Sequence, residues 1–288
     1  GAVHEYAVCL DGSHTVNLEG DYNFIFRSLG NRGKDPLKFQ RDIDVLLAEY
    51  VKDSNDPRTV FYLAQSYRDF GDVDSAITWY QRRAGMPGWV EENFIAALEL
   101  AKLFAKQNND PSQVVQAFED AWRVRPSRAE ALVELAKFHR ENKNWFDSYV
   151  AAFRACDIPF PADDLLFVDA SAYHWRALDE FAIAAGQLGH HDEAIVAGSR
   201  LLGSPLLPFH QRERVLWNQT YSMKCLGFPQ NIVRDRPVEV RSGPTADLTF
   251  AITTCRRREL FERTMDSFLE NCLDHHLIAR WICIDDAS

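Results

Sequence analysis

Asp56-Pro-Arg-Thr-Val-Phe-Tyr-Leu-Ala-Gln-Ser-Tyr-Arg-Asp-Phe-Gly-Asp-Val-Asp-Ser-Ala-Ile-Thr-Trp-Tyr80 is the stretch that decides the fold. Leu63 and Tyr67 stand four residues apart, which puts both on one face of a first helix. Ala64 beside them is small enough for a second helix to approach closely. Gly71 suits the turn between the helices, and Ala76 and Tyr80 then face back from the second one. Asp56-Pro57 reads as an N-cap followed by the first helical residue, and Asp72 of Asp72-Val-Asp74 as the cap of the second helix. A helix pair of this kind cannot bury its apolar face alone, so copies must stack on it.

Copies follow. Leu100, Ala101, Phe104, Val114, Phe118 and Ala121 keep the frame if one residue is inserted near Asn108-Asn109-Asp110. Leu135, Ala136, His139, Ser148, Ala152 and Ala155 repeat it after Pro126. In that copy Lys143 replaces the turn glycine, and its neighbours Asn142 and Asn144 are expected to tolerate any left-handed conformation the turn needs. Leu178, Phe181, Ala182, Ala185, Gly189 and Ala194 make a fourth copy, beyond an insertion around Pro159 to Asp164. An ordinary amphipathic bundle would share the helical period but not the small residues at fixed offsets. The pattern resembles the tetratricopeptide repeat (TPR). The expected fold class is therefore mainly α, a TPR-like α-solenoid over residues 33–226. Asp35-Pro36 should open its leading helix, with Phe39, Ile43, Leu46, Leu47 and Tyr50 as the apolar stripe. Ser127 and Glu130 have the spacing of a capping box. A helix from about Gln211 to Leu226, carrying Val215, Tyr221 and Leu226, should close the array.

Composition narrows the partners. Lys and Arg number 32 against 42 Asp and Glu, for a net charge of −10. Nucleic acid or an anionic membrane would need a basic face, so neither is expected as the main partner. No apolar run reaches the ~18–20 residues of a membrane span, and no signal peptide is visible. Cys9, Cys156, Cys225, Cys255, Cys272 and Cys283 form no Cys-x-x-Cys pair, which suits reduced, buried thiols in a cytoplasmic protein. His190-His191 and His275-His276 read as solvated turn residues rather than metal ligands. The chain starts on Gly1 and stops at Ser288 straight after a strand-like run, as a segment of a longer protein would.

The flanks read differently. Residues 1–32 are rich in β-branched and aromatic side chains broken by Asp11-Gly12-Ser13 and Glu19-Gly20-Asp21, the pattern of a β-hairpin ending a preceding domain. Residues 227–246 carry Pro229, Pro237 and Pro244 and read as a linker. In 247–288, Leu248 to Thr254 is a β-rich run, Glu259 to Cys272 a helical stripe, and Trp281 to Ile284 a second buried run. Strand, helix and strand at this spacing make an incomplete α/β unit, a Rossmann-like βαβ with parallel strands and a right-handed crossover.

In such sheets ligands bind beyond the carboxyl ends of the strands, here near Thr253-Thr254-Cys255-Arg256 and Asp285-Asp286. The glycine-rich turn of a dinucleotide site is missing. The turn Thr253-Thr254-Cys255-Arg256-Arg257 and the strand end Ile284-Asp285-Asp286-Ala287-Ser288 instead resemble the start of a family 2 glycosyltransferase domain of the GT-A type. Thr253 and Cys255-Arg256 depart from that family's usual Pro and Tyr-Asn. The resemblance implies that Thr253, Thr254, Arg256 and Asp285 or Asp286 contact a nucleotide-sugar donor. The whole chain is similar to glycosyltransferases that combine TPR arrays with GT-A domains. In these, Val3-His4-Glu5-Tyr6 would end a first transferase domain, and His4 would be a possible metal ligand. A divalent metal, Mn or Mg, is implied for the complete parent but not for this segment. The metal-binding Asp-x-Asp and the catalytic base lie beyond the second strand in that family, so no catalytic residue is assigned and the segment is expected to be inactive alone. It would act as the helical-repeat scaffold of a transferase. The alternative is a non-catalytic TPR adaptor that takes a peptide or protein in its groove.

Overall fold

The computed structural model describes residues 37–228, 248–254, 264–266 and 278–285. Its contacts divide into two units, Gly1–Gln230 and Asn231–Ser288. In the first, α1 (Lys38–Lys52) precedes four helix pairs: α2 (Pro57–Phe70) with α3 (Val73–Ala84), α4 (Val90–Lys106) with α5 (Pro111–Val124), α6 (Glu130–Glu141) with α7 (Trp145–Cys156), and α8 (Ala177–Leu188) with α9 (His191–Gly203). A π-helical turn, Ala172–Arg176, leads into α8, and α10 (Phe209–Cys225) follows the last pair.

The local reasons are visible at α2. The Asp56 carboxylate accepts the Arg58 and Thr59 N–H groups at 3.1 and 3.0 Å, and Pro57 fills the first position, where no N–H is needed. Gly71 ends the helix in the left-handed conformation at φ 92°, and the next N–H, of Asp72, returns to the Tyr67 carbonyl at 3.0 Å. Asp72 then caps α3 by accepting from the Ser75 N–H. The same closure recurs in every pair. Asn108, Lys143 and Gly189 are left-handed at φ 54°, 59° and 84°, and the N–H groups of Asn109, Asn144 and His190 return to Phe104, His139 and Ala185.

The closure in the third pair corrects an expectation, because Lys143 itself takes the left-handed position while Asn142 and Asn144 keep negative φ. The repeat geometry fixes which residue must turn, and a Cβ there costs free energy that glycine avoids. Lys143→Gly is expected to stabilise the chain by about 0.5–1 kcal/mol, the side-chain penalty less the added entropy of glycine in the unfolded state. A lower urea midpoint in the variant would contradict this.

Helix pairing follows the small residues. Leu63, Ala64, Ala76 and Tyr80 are buried, as are Ala101, Val114, Phe118 and Ala121, then Leu135, Ala136, Ser148, Ala152 and Ala155, and Ala185 and Ala194. Each second helix packs on its own first helix and on the first helix of the next pair, and successive first helices touch one another. The result is a two-layer, TPR-like helical array, with α2, α4, α6 and α8 in one layer.

Three other expectations need correction, and a fourth, at Asp35-Pro36, is untested. Ser127 does not cap α6, because Glu130 is engaged by Arg128 and the buried start of the helix is met by the Tyr173 hydroxyl, which accepts from the Ala129 N–H at 3.1 Å. Asp35-Pro36 lies outside the described residues, and Leu37 precedes α1 without a side-chain cap. In α10 Val215 is buried, but Tyr221 and Leu226 are exposed with Phe209 and Trp217, so that helix presents apolar groups outward. Cys156 and Cys225 are exposed rather than buried, since both fall on outward positions of their helices.

In the second unit β1 (Leu248–Thr254) and β2 (Ile278–Asp285) pair in parallel, with residues 264–266 helical between them. Thr253 registers with Ile284 and Thr254 with Asp285 at the carboxyl ends. The expected hairpin in 1–32 and most of the linker, 229–247, lie outside the described residues.

Candidate functional site

The first-helix layer is joined by ion pairs that cross from one repeat to the next. Arg58 on α2 meets Glu92 on α4 at 3.2 Å, and Arg68 meets Glu99 at 3.0 Å. Glu134 on α6 meets Arg176 at 2.5 Å, Arg140 meets Glu180 on α8 at 2.6 Å, and Asp179 meets Arg214 on α10 at 2.8 Å. Among the described residues the second layer carries one such link, Arg154 to Glu119. Isolated surface pairs contribute little, but these are half-buried or deeper and fix which faces of the first helices point together.

Two arginines go further. Arg83, at the end of α3, has no exposed side-chain surface and donates to Glu92 at 3.1 Å in the first turn of α4. Gly88 sits against it at φ 144°, where an added Cβ would lie 3.2 Å from the Arg83 guanidinium. Arg128, ahead of α6, is equally buried and donates to Glu130 at 2.7 Å, to Asp164 at 3.2 Å and to the carbonyls of Leu166 and Phe167. Its guanidinium also lies over the Phe94 ring, 4.7 Å from the centroid. A buried arginine is tolerable only with its charge paired, and both are; the donors of Arg128 are all engaged, whereas the Arg83 Nε–H is buried without an acceptor.

These bonds tie down the insertion between the third and fourth pairs. Its residues Asp164 to Asp169 cross the amino-terminal ends of α4 and α6. Glu91 accepts from the Leu165 and Leu166 N–H groups at 2.9 and 2.7 Å, Glu130 accepts from the Asp169 N–H and the Tyr173 hydroxyl, and Arg125 forks onto Asp164. The insertion therefore acts as a strap joining three repeats. Hydrogen bonds from Arg125 hold the Asp164 carboxyl below the ordinary carboxylate range, despite its burial. A depressed folded-state pKa adds stability above the unfolded value of about 3.9 and loses it as pH falls through the folded value. Exchange protection of the Leu165 and Leu166 amides is thus expected to persist down to about pH 4 and to disappear in stronger acid. Loss of that protection near pH 6 by NMR would contradict the assignment.

Two cavities open on the first-helix layer. One of about 290 Å³ is lined by Gln65 and Arg68 of α2, Glu99 and Lys102 of α4, Glu134 of α6, and Phe167 and Asp169 of the strap. The other, about 760 Å³, lies between the carboxyl-terminal half of α4, the turn at 107–110 and α6. Lys102 and Glu134 line both, so the two adjoin on this face. Sequence reading located a groove but missed its charges and its strap. The signal that was present is an arginine ahead of an acidic first turn at each junction, Arg83 before Glu92 and Arg128 before Glu130.

Of the residues singled out for a nucleotide-sugar donor, Thr253, Thr254 and Asp285 stand together at the carboxyl ends of the parallel strands. Arg256, Asp286 and His4 lie outside the described residues. Among the described residues no three His, Cys, Asp or Glu side chains are grouped to hold a metal ion. His190 is half exposed and His191 lies 3.3 Å from the Ser222 hydroxyl. No described helix is long and apolar enough to cross a membrane.

No protein-family model matches the sequence, and no curated relative does. Among solved structures, two crystal structures of MamA align with TM-scores of 0.45, at 17% identity over 60% of this chain and 83% of that one, and at 16% over 69% and 99%. A thermophilic TPR protein of Thermus thermophilus aligns with a TM-score of 0.41 and 15% identity, over 63% of this chain and 90% of that one.

Proposed function

We propose that the helical array is a protein-docking scaffold whose first-helix groove takes a peptide segment of a partner. The observation that carries this is the groove itself, two adjoining cavities lined by three consecutive first helices and, at the smaller one, the strap. The cross-repeat ion pairs and buried arginines pre-organise it, which lowers the ordering cost of binding. A peptide selected from a random displayed library against the full chain should lose its binding when Gln65→Trp fills the smaller cavity, while the variant keeps its helical content. Peptides that bind the variant and the parent equally would show that the groove is not the docking surface.

A second reading is favoured by the parallel strand pair. Thr254 opposite Asp285, at the carboxyl ends, is where a nucleotide-sugar donor would sit in a transferase-type unit. On this reading the array is the scaffold of a glycosyltransferase that transfers a sugar from a nucleotide donor. Its divalent metal would belong to the complete enzyme. Photoreactive uridine and guanosine diphosphate sugars should label peptides containing 253–256 or 285–286 of the full chain. Labelling spread evenly along the chain, or none, would remove it.

A further inference from the structure

α10 packs on α9 and touches α8, the position a first helix takes in the array, and among the described residues of the first unit no second helix follows it. Val215 and Ser222 face inward and are buried. On the opposite side Phe209, Leu216, Trp217 and Tyr221 are exposed, Phe209 at 90% and Trp217 at 71%. Large apolar residues exposed singly are ordinary, but four on one face of one helix mark an interaction surface, and a repeat array that ends on such a face needs a cover. The same face carries one acid and one base. At about 100° per residue, Glu213 and Lys224 fall within about 20° of each other in the middle of the stripe, about 16 Å apart along the helix axis. Both are exposed, and neither has an ion-pair partner among the described residues.

We propose that this face pairs with the same face of a second copy of the chain, the two α10 helices lying antiparallel about a two-fold axis. The two charges choose both the occupant and its orientation. Glu213 and Lys224 are equally far from the point between Asn218 and Gln219. A two-fold through that point therefore sets Glu213 against the partner's Lys224, and Lys224 against the partner's Glu213. Trp217 falls beside the axis, next to the partner's Trp217, while Phe209, Leu216 and Tyr221 flank the seam. A parallel pairing would instead set like charges together. The two charges cancel within each face, so chains of net charge −10 meet there with the least repulsion. Such an isologous contact closes on itself, which covers the end of the array without starting a filament.

Sedimentation velocity of the full chain tests this. From about 1 to 200 μM the chain should pass from monomer to dimer, as a contact smaller than a standard ~1,600 Å² interface would. Glu213→Lys and Lys224→Glu alone should each raise the dissociation constant at least about tenfold, since each sets like charges together. Mixed in equal amounts, the two single variants should form a heterodimer near the parent's affinity, and the double variant with both changes should dimerise like the parent. Trp217→Ala should weaken the parent dimer at least about tenfold. All three side chains are exposed, and matching circular dichroism melts would show that the folds are equivalent. A chain that stays monomeric throughout, or dimers indifferent to the single reversals, would overturn the pairing. So would single reversals that neither mixing nor the double variant rescues. Binding of a monomeric chain to phosphatidylcholine vesicles, lost with Trp217→Ala, would also overturn it by assigning the face to a membrane surface. None of these outcomes bears on the groove, whose peptide the library selection tests separately.

Discussion

Replacing Arg128 by methionine is expected to lower the unfolding free energy by about 3–5 kcal/mol, because the change leaves buried carboxylates without their counter-ion. Methionine keeps much of the length of the stem, so the loss reports the guanidinium rather than a large void. Glu130 would lose three charge-assisted bonds, Asp164 would keep only Arg125, and the Leu166 and Phe167 carbonyls would lose their donor. Exchange protection along 164–169 should fall with the stability. Arg128→Lys retains the charge without the planar fork and should fall between the two. Urea unfolding decides it, since a loss below about 1 kcal/mol would mean that the carboxylates are satisfied by water, at the level of an exposed pair.

Phe94→Ala should be comparably costly, about 3–5 kcal/mol, for a different reason: it removes a large ring from a fully packed site and leaves a cavity. Phe94 has no exposed surface and lies at the start of α4, beneath the Arg128 guanidinium. The two changes touch, so they should not add. The double variant Phe94→Ala, Arg128→Met is expected to lose less than the sum of the single changes by about 0.5–3 kcal/mol. Strict additivity in the same urea series would show that the ring and the cation contribute independently.

How far the sequence carried the fold depends on the range of the interaction. Leu63, Ala64, Gly71, Ala76 and Tyr80 act within one helix pair, and their spacing placed both helices and the turn. The irregularity expected near Asn108 coincides with a left-handed residue there. Asp72 is a cap because its partner, Ser75, is three residues away. Local rules failed where distant residues claimed the same groups. Ser127 and Glu130 have capping-box spacing, yet Glu130 serves Arg128, the Asp169 N–H and Tyr173 instead. Lys143 is left-handed because the repeat demands it, against its own preference.

The groove was legible as a place and not as a chemistry. Stacked first helices imply a shared face, but the pairs that shape it join residues 31 to 42 positions apart, such as Arg68 with Glu99 and Arg176 with Glu134. The strap reaches further still, from Leu166 to Glu91, 75 positions away. No periodicity in one repeat encodes such partners. The two strands run parallel, with Thr254 in register with Asp285. The transferase role attached to them remains a proposal that the labelling experiment addresses.

The central claim is that the first-helix layer is the docking surface, and hydrogen exchange of the full chain with a selected peptide tests it most directly. The account predicts slowed exchange in 90–106, 130–141 and the strap residues 164–169, with no change in the second-layer helices 73–84 and 145–156. Protection confined to the exposed apolar face of 209–225, or to the second layer, would contradict it.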